Sequence, residues 1–300
     1  MVRCSGGPAG LMLLLGLAIM LVFPWAHGLA VAQEIPPSAV REQAAAIARL
    51  AVPVPMVPVP AGWFLMGTAR VDEILLGFEG PYDDTEQPQR RIWLDSFEID
   101  RDEVSLGNYL AWLLRASRQL ELELAREIVI ARARKVPESA LAAWPVFYVQ
   151  WFEADAYCRA AGKRLPSEAE WEKAARGAMG QLFPWGTTAP SRWFAVFNLQ
   201  IEDSMLPLAP VDSFAEGRSP YGLYHMAGNV AEWVQDWGGI DIYMTMPERN
   251  PTGPAGGRYK IVRGGSWRSS PVMLRTATRG GAPPMFSSST IGFRCARSLP

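Results

Sequence analysis

Alternating apolar and polar positions mark the strands that can be read directly from this chain. Trp63-Phe-Leu-Met-Gly67 predicts a strand running into a turn. Arg91-Ile-Trp-Leu-Asp-Ser-Phe-Glu-Ile-Asp100 alternates as one half-buried strand does. Between them lies an acidic loop, Asp83-Asp-Thr-Glu-Gln-Pro88. Helical spacing follows: Ser105 caps a helix over Leu106 to Ala116, and a charged helical stretch, Gln119 to Arg134, continues or follows it. Phe152 to Ala161 predicts a short helix closed by Gly162. In Leu165-Pro-Ser-Glu-Ala-Glu-Trp-Glu-Lys-Ala-Ala-Arg-Gly177, Ser167 and Glu170 form a capping signature and Gly177 supplies the stop. Beyond Gly177 periodicity fades into Gly, Pro, Asn and Trp. Short strands are expected only at Lys260–Val262 and Ile291–Cys295.

The N-terminal pattern is different in kind. Arg3 precedes a nearly unbroken apolar run, Leu11 to Phe23, and Ala30-Val31-Ala32 is a small-x-small cleavage site. Residues 1–32 are therefore expected to be an export signal, leaving Gln33 first and the protein periplasmic or secreted. The alternative is an uncleaved anchor, although the apolar core is short for a span of about 20 residues. Membrane contact is expected only through this segment. Residues 33–56 read as a Pro/Ala-rich leader: Ala-rich and helix-prone from Ser38 to Leu50, then extended by Pro53, Pro55, Pro58 and Pro60. The domain proper is placed at 57–298.

Composition narrows the classes. With 300 residues, a net charge of -1 and 20% charged residues, the chain carries no basic footprint for nucleic acid. Twelve Trp, 27 Gly and 25 Pro favour a turn-rich fold over a helix bundle. Once the signal is removed, Cys158 and Cys295 remain, either as a disulfide in an oxidising compartment or as two buried thiols.

A series of short motifs then adds a resemblance. Pro60-Ala-Gly-Trp-Phe-Leu-Met-Gly67, Asp102-Glu-Val104, Ala161-Gly-Lys-Arg-Leu-Pro-Ser-Glu-Ala-Glu-Trp171, Tyr221-Gly-Leu-Tyr-His-Met-Ala-Gly-Asn-Val-Ala-Glu-Trp233, Arg263-Gly-Gly-Ser-Trp267 and Gly292-Phe-Arg-Cys295 occur in that order. Together they resemble the formylglycine-generating enzyme (sulfatase-modifying factor) family over roughly residues 57 to 298. The resemblance implies an α+β fold related to C-type lectins, with little regular secondary structure. It favours a Cys158–Cys295 disulfide and makes a helical stretch at about 117–143 look like an insertion.

It also implies sites. One calcium loop of the family maps to His225, Gly228, Val230 and Glu232, with His225 departing from the usual Asp or Asn. A second maps to Asn198, Leu199, Asp203 and Met205. Active relatives oxidise a substrate cysteine with copper(I) held by two cysteines after the Gly-Gly-Ser motif. Here those positions fall at Ser269 and at or near Leu274, and the segment contains no cysteine. Soft thiolates select copper(I), so copper is not expected. Trp267, Arg268, Ser269, Ser270, Arg275 and Arg279 are expected to face the family's substrate cleft, whereas Arg263 and Arg294 read as structural. A lone His225 outside the signal gives no Ser–His–Asp triad.

Three functions follow as expectations: an exported accessory or maturation factor acting on a peptide or peptide-like substrate, a non-catalytic binding module, or an oxidase working through unconventional residues.

Overall fold

The computed structural model describes residues 37–69, 84–200, 206–239 and 241–299. The signal segment, Asp203 and Met205 lie outside them. Helix α1 (Pro37–Ala48) leads into β1 (Met56–Val59), β2 (Gly62–Met66), β3 (Arg90–Leu94) and β4 (Phe97–Asp100). Helices α2 (Leu106–Arg115), α3 (Leu122–Ala133), α4 (Glu138–Ala142), α5 (Trp151–Ala160) and α6 (Glu168–Arg176) follow. After them come β5 (Ala231–Trp237), α7 (Ile242–Thr245), β6 (Lys260–Arg263), β7 (Arg279–Ala282), β8 (Ile291–Phe293) and β9 (Ala296–Ser298). Long loops separate these last elements.

The strands make three sheets, ordered β1-β4-β9, β2-β3 and β7-β6-β5-β8. The alternating run 90–100 is two strands, not one. Trp93 Nε1, Asn250 Nδ2 and Arg249 Nη2 all donate to the Asp95 carboxylate. That knot turns the chain, so β3 pairs with β2 while β4 pairs with β1 and β9.

From Pro37 on, the segment read as a leader packs on the domain. Ala44 and Ile47 of α1 are buried in the same core as α2, and β1 is an edge strand, where Pro58 costs no ladder hydrogen bond. The helix caps form where they were read. Ser105 Oγ accepts from Asn108 N, and Ser167 and Glu170 complete a reciprocal box. The stretch 117–143 holds α3 and α4.

One large core lies among the helices, where Tyr109, Trp112, Tyr157 and Phe293 meet ring to ring at 5.3–6.3 Å. A second surrounds Trp171 between α6 and the small sheets. Cys158 at the end of α5 is joined to Cys295 between β8 and β9, and both are fully buried. Among the described residues no helix is long and apolar enough to cross a membrane.

Candidate functional site

The site grows from the Gly264-Gly265 turn after β6. Both glycines have positive φ, 92° and 67°, a conformation most side chains avoid. The turn continues with Ser269 N donating to Ser266 O and Ser266 N donating to Ser269 Oγ, each at 2.9 Å. Pro271–Leu274 then forms a short 3-10 helix. A Cβ added at Gly265 would lie 3.3 Å from Ser269 Cβ and 3.1 Å from Leu274 Cδ2. The two positions matched to the family's cysteines are thus brought to one place. Neither side chain there can act as a thiolate: Ser269 closes the turn, and Leu274 is fully buried against Phe183, Ala195 and Ala227.

Two further loops converge on this turn. Asn198 N donates to Ser269 O and Leu199 N to Trp267 O, both at 2.9 Å. Gly228 N donates to Gly264 O, and Trp267 N to Asn229 O. A side chain at Gly228 would meet Val196 O at 2.3 Å, so glycine permits the close approach. Asn229 locks the junction. Its Nδ2 donates to Glu103 Oε2 at 2.7 Å and its Oδ1 accepts from Ala209 N. Burial, and then Glu232 nearby, pushes the Glu103 carboxyl well above the usual carboxylate range.

The candidate cleft residues separate into two groups. Arg268 and Ser270 are exposed and Ser269 is half-buried. Met273 and Leu199 share this surface at 40% exposure each. Trp267 is buried, with its Nε1 donating to Ser289 O. Arg275 and Arg279 are buried too, and Arg279 lines a separate hollow with Thr85, Tyr259 and Gly280. Arg275 meets both oxygens of Glu86 at 2.7 and 2.9 Å, and Arg279 those of Glu168 at 2.6 and 2.9 Å. Burial alone would raise Glu168, but Arg279 and Arg263 outweigh it and hold it below its ordinary value. Arg263 donates to Glu172 at 2.5 Å and to the carbonyls of Thr276, Ala277 and Thr278. Glu172 also takes Arg176 and Gly67 N.

This buried network was not read from the sequence. Its acids, Glu86, Glu168 and Glu172, find partners 91 to 189 residues away. The only local signal is the Glu168, Glu172, Arg176 spacing, one turn apart each time, on a helix every residue of which is buried. Asp236 adjoins it, accepting from Glu168 N and Gly253 N, and burial followed by Glu168 raises it to about 7.

The loop matched to a calcium site of the family, 225–232, has a donor set that suits the hard cation poorly. Burial lowers His225 to about 4, so the ring is neutral, and its Nε2 lies 3.0 Å from Pro210 O, to which it donates. Glu232 spends both oxygens on Arg294, each at 2.7 Å, and one also accepts from Trp171 Nε1. Calcium favours six to eight oxygens, and here an imidazole nitrogen stands in the first place. At the other loop, the Asn198 side chain is exposed with its backbone at φ 52°, and Asp203 and Met205 fall outside the described residues. Among the described residues no cluster of three or more His, Cys, Asp or Glu could hold a metal ion.

These converging loops, the mixed fold and the Gly-Gly-Ser turn define a formylglycine-generating-enzyme-like domain. Comparison with known proteins agrees: residues 43–299 match the sulfatase-modifying factor enzyme 1-like domain, and the chain belongs to that family. It is 34% identical over 289 residues to the formylglycine-generating enzyme of Mus musculus, covering 80% of this chain and 74% of that one. It is also 32% identical over 290 residues to the inactive C-alpha-formylglycine-generating enzyme 2 of Mus musculus, covering 81% and 85%. Among solved structures, PvdO from Pseudomonas aeruginosa superposes with a TM-score of 0.61 at 26% identity, covering 81% of this chain and 94% of that one.

Proposed function

We propose that this chain is an exported, non-oxidase member of the family, an accessory or maturation factor that binds a peptide or peptide-like partner at the Gly264–Leu274 turn. One observation carries the reading. The positions matched to the family's cysteines, Ser269 and at or near Leu274, meet beside Gly265, and Ser269 and Leu274 carry a hydroxyl committed to a backbone N–H and a buried isobutyl group. Serine oxygen cannot replace a soft thiolate for copper(I) or take part in its redox cycle. The one histidine among the described residues, His225, is held at Pro210 and Ser213. The name of the inactive mouse relative is consistent with a family scaffold that persists without the oxidase.

Exposed Arg268, Ser270 and Met273 offer a guanidinium, a hydroxyl and an apolar contact, a set suited to holding a peptide. Calcium belongs to this reading only at the Asn198 loop, as a support for the surface next to Ser269.

The test uses purified protein, copper(I), dioxygen and a Cys-x-Pro-x-Arg peptide, followed by mass spectrometry and by titration of a labelled peptide. Intact cysteine together with saturable binding that Arg268→Ala weakens is the expected result. Conversion to formylglycine would establish an oxidase acting through other residues, and neither conversion nor binding would remove the peptide site. Elemental analysis checks calcium, and N-terminal sequencing of exported material checks for a mature chain beginning at Gln33.

A further inference from the structure

A cavity of about 560 Å3 opens on the opposite kind of surface, between α1, α2, α3 and the 117–120 connection. It is independent of the Gly-Gly-Ser turn. Its floor is apolar and buried: Ala44 from α1, Leu110 and Leu113 from α2, and Val129 from α3. Leu122 stands at its mouth and is 70% exposed. The charged residues lining it are Arg41, Arg118 and Arg126, and no carboxylate lines it.

Two of the nearby acids already have partners. Glu121 caps α3 by accepting from Leu124 N, and Glu123 pairs with Arg126 at 3.0 Å. Among the described ion pairs, neither Arg41 nor Arg118 has a carboxylate. Arg118 is exposed and lines the cavity, and its guanidinium rests 4.8 Å over the ring of Trp112, which lies outside the lining, so its charge turns to the mouth only by leaving that ring.

An apolar floor with a cationic rim matches one ligand chemistry: a hydrocarbon tail ending in an anion. We infer that this cavity binds a single-chain amphiphile with a carboxylate or phosphate head, tail on Leu110, Leu113 and Val129, head at Arg41 and Arg118. The volume lies within the range of small-ligand pockets, roughly 300–1,000 Å3, and accommodates a chain of roughly ten to twelve carbons. Arginine suits either head because its planar fork pairs with both carboxylate and phosphate.

The probe is 11-dansylaminoundecanoate, whose fluorescence is followed on the full chain, with displacement by dodecanoate, dodecyl phosphate and dodecyltrimethylammonium. Both anions are expected to displace it, with the stronger one identifying the head, and the cation should compete at least ~10-fold more weakly. Leu122→Asp, at an exposed position where the fold is not at risk, should weaken probe binding at least ~5-fold, and so should Arg41→Gln/Arg118→Gln. Equal displacement by cation and anions, unchanged binding in both variants, or absence of saturable binding would overturn the inference. So would retention of the protein only by phosphatidylglycerol vesicles without displacement by monomeric dodecanoate, which would assign the patch to a bilayer surface.

Discussion

Arg294 shows how single residues in this fold use charge. Its guanidinium meets both oxygens of Glu232 and donates to the carbonyls of Asp100, Arg101 and Tyr224, all away from solvent. A buried pair gains little over an apolar pair of similar volume, but breaking it strands a charge. Arg294→Met is therefore expected to lower the unfolding free energy by ~3–5 kcal/mol, with Arg294→Met/Glu232→Met recovering at least ~1 kcal/mol of it in urea titrations. Equal losses in both would mean that the carbonyl contacts, not Glu232, carry the effect. The same scale holds the positions matched to the family's cysteines. Ser269 and Leu274 share the space beside Gly265, so two thiols installed there meet one soft ion. Ser269→Cys/Leu274→Cys should retain copper(I) against a coloured chelator while either single variant releases it. Release by the double variant would show that these two positions are not the family's pair.

At the scale of elements, α3 carries a pH-dependent cost. Glu127 lies one turn beyond Glu123, and burial, then that neighbour, pushes its carboxyl up to about 7. A carboxyl raised on folding binds its proton more tightly in the native state. Its favourable contribution is complete below the unfolded value near 4.5 and is lost as pH rises through about 7. Glu127→Gln removes that loss. Because Glu127 is partly solvated, the expected gain is about 1–2 kcal/mol at pH 8, vanishing near pH 4, in paired thermal melts of variant and parent. A gain that does not grow between pH 4 and 7 would place the charge in water. Elements also set what could be read beforehand. Caps are local, so the starts of α2 and α6 were legible in Ser105 and in Ser167 with Glu170. Strand β5 was not, because it lies between β6 and β8 and is buried at Glu232, Trp233 and Val234 in succession, which erases alternation. β7, Arg279-Gly-Gly-Ala282, has no strand propensity of its own and is held by β6.

Across the whole molecule, what was hidden is what joins distant parts. Arg275 reaches Glu86 across 189 residues and Arg279 reaches Glu168 across 111, and no spacing rule announces such pairs. Several of the motifs that announced the family are turns or caps where those parts meet, as at Gly264-Gly265 and Ser167. One long-range link was open to reasoning, the bond between Cys158 and Cys295, which ties α5 to the C-terminal strands over a separation of 137 residues. Closing so long a loop restricts the unfolded chain, nominally by about 5 kcal/mol. A turn-rich domain whose sheets, among the described residues, have at most four strands depends on that restriction more than a large regular one does. Cys158→Ala/Cys295→Ala is therefore expected to lose about 3–5 kcal/mol in denaturant titrations. The same loss should appear in unaltered protein made in a reducing cytosol, where the bond does not form, and be absent in protein recovered after export. Material from the two compartments with equal stability would break the link between this fold and an oxidising destination.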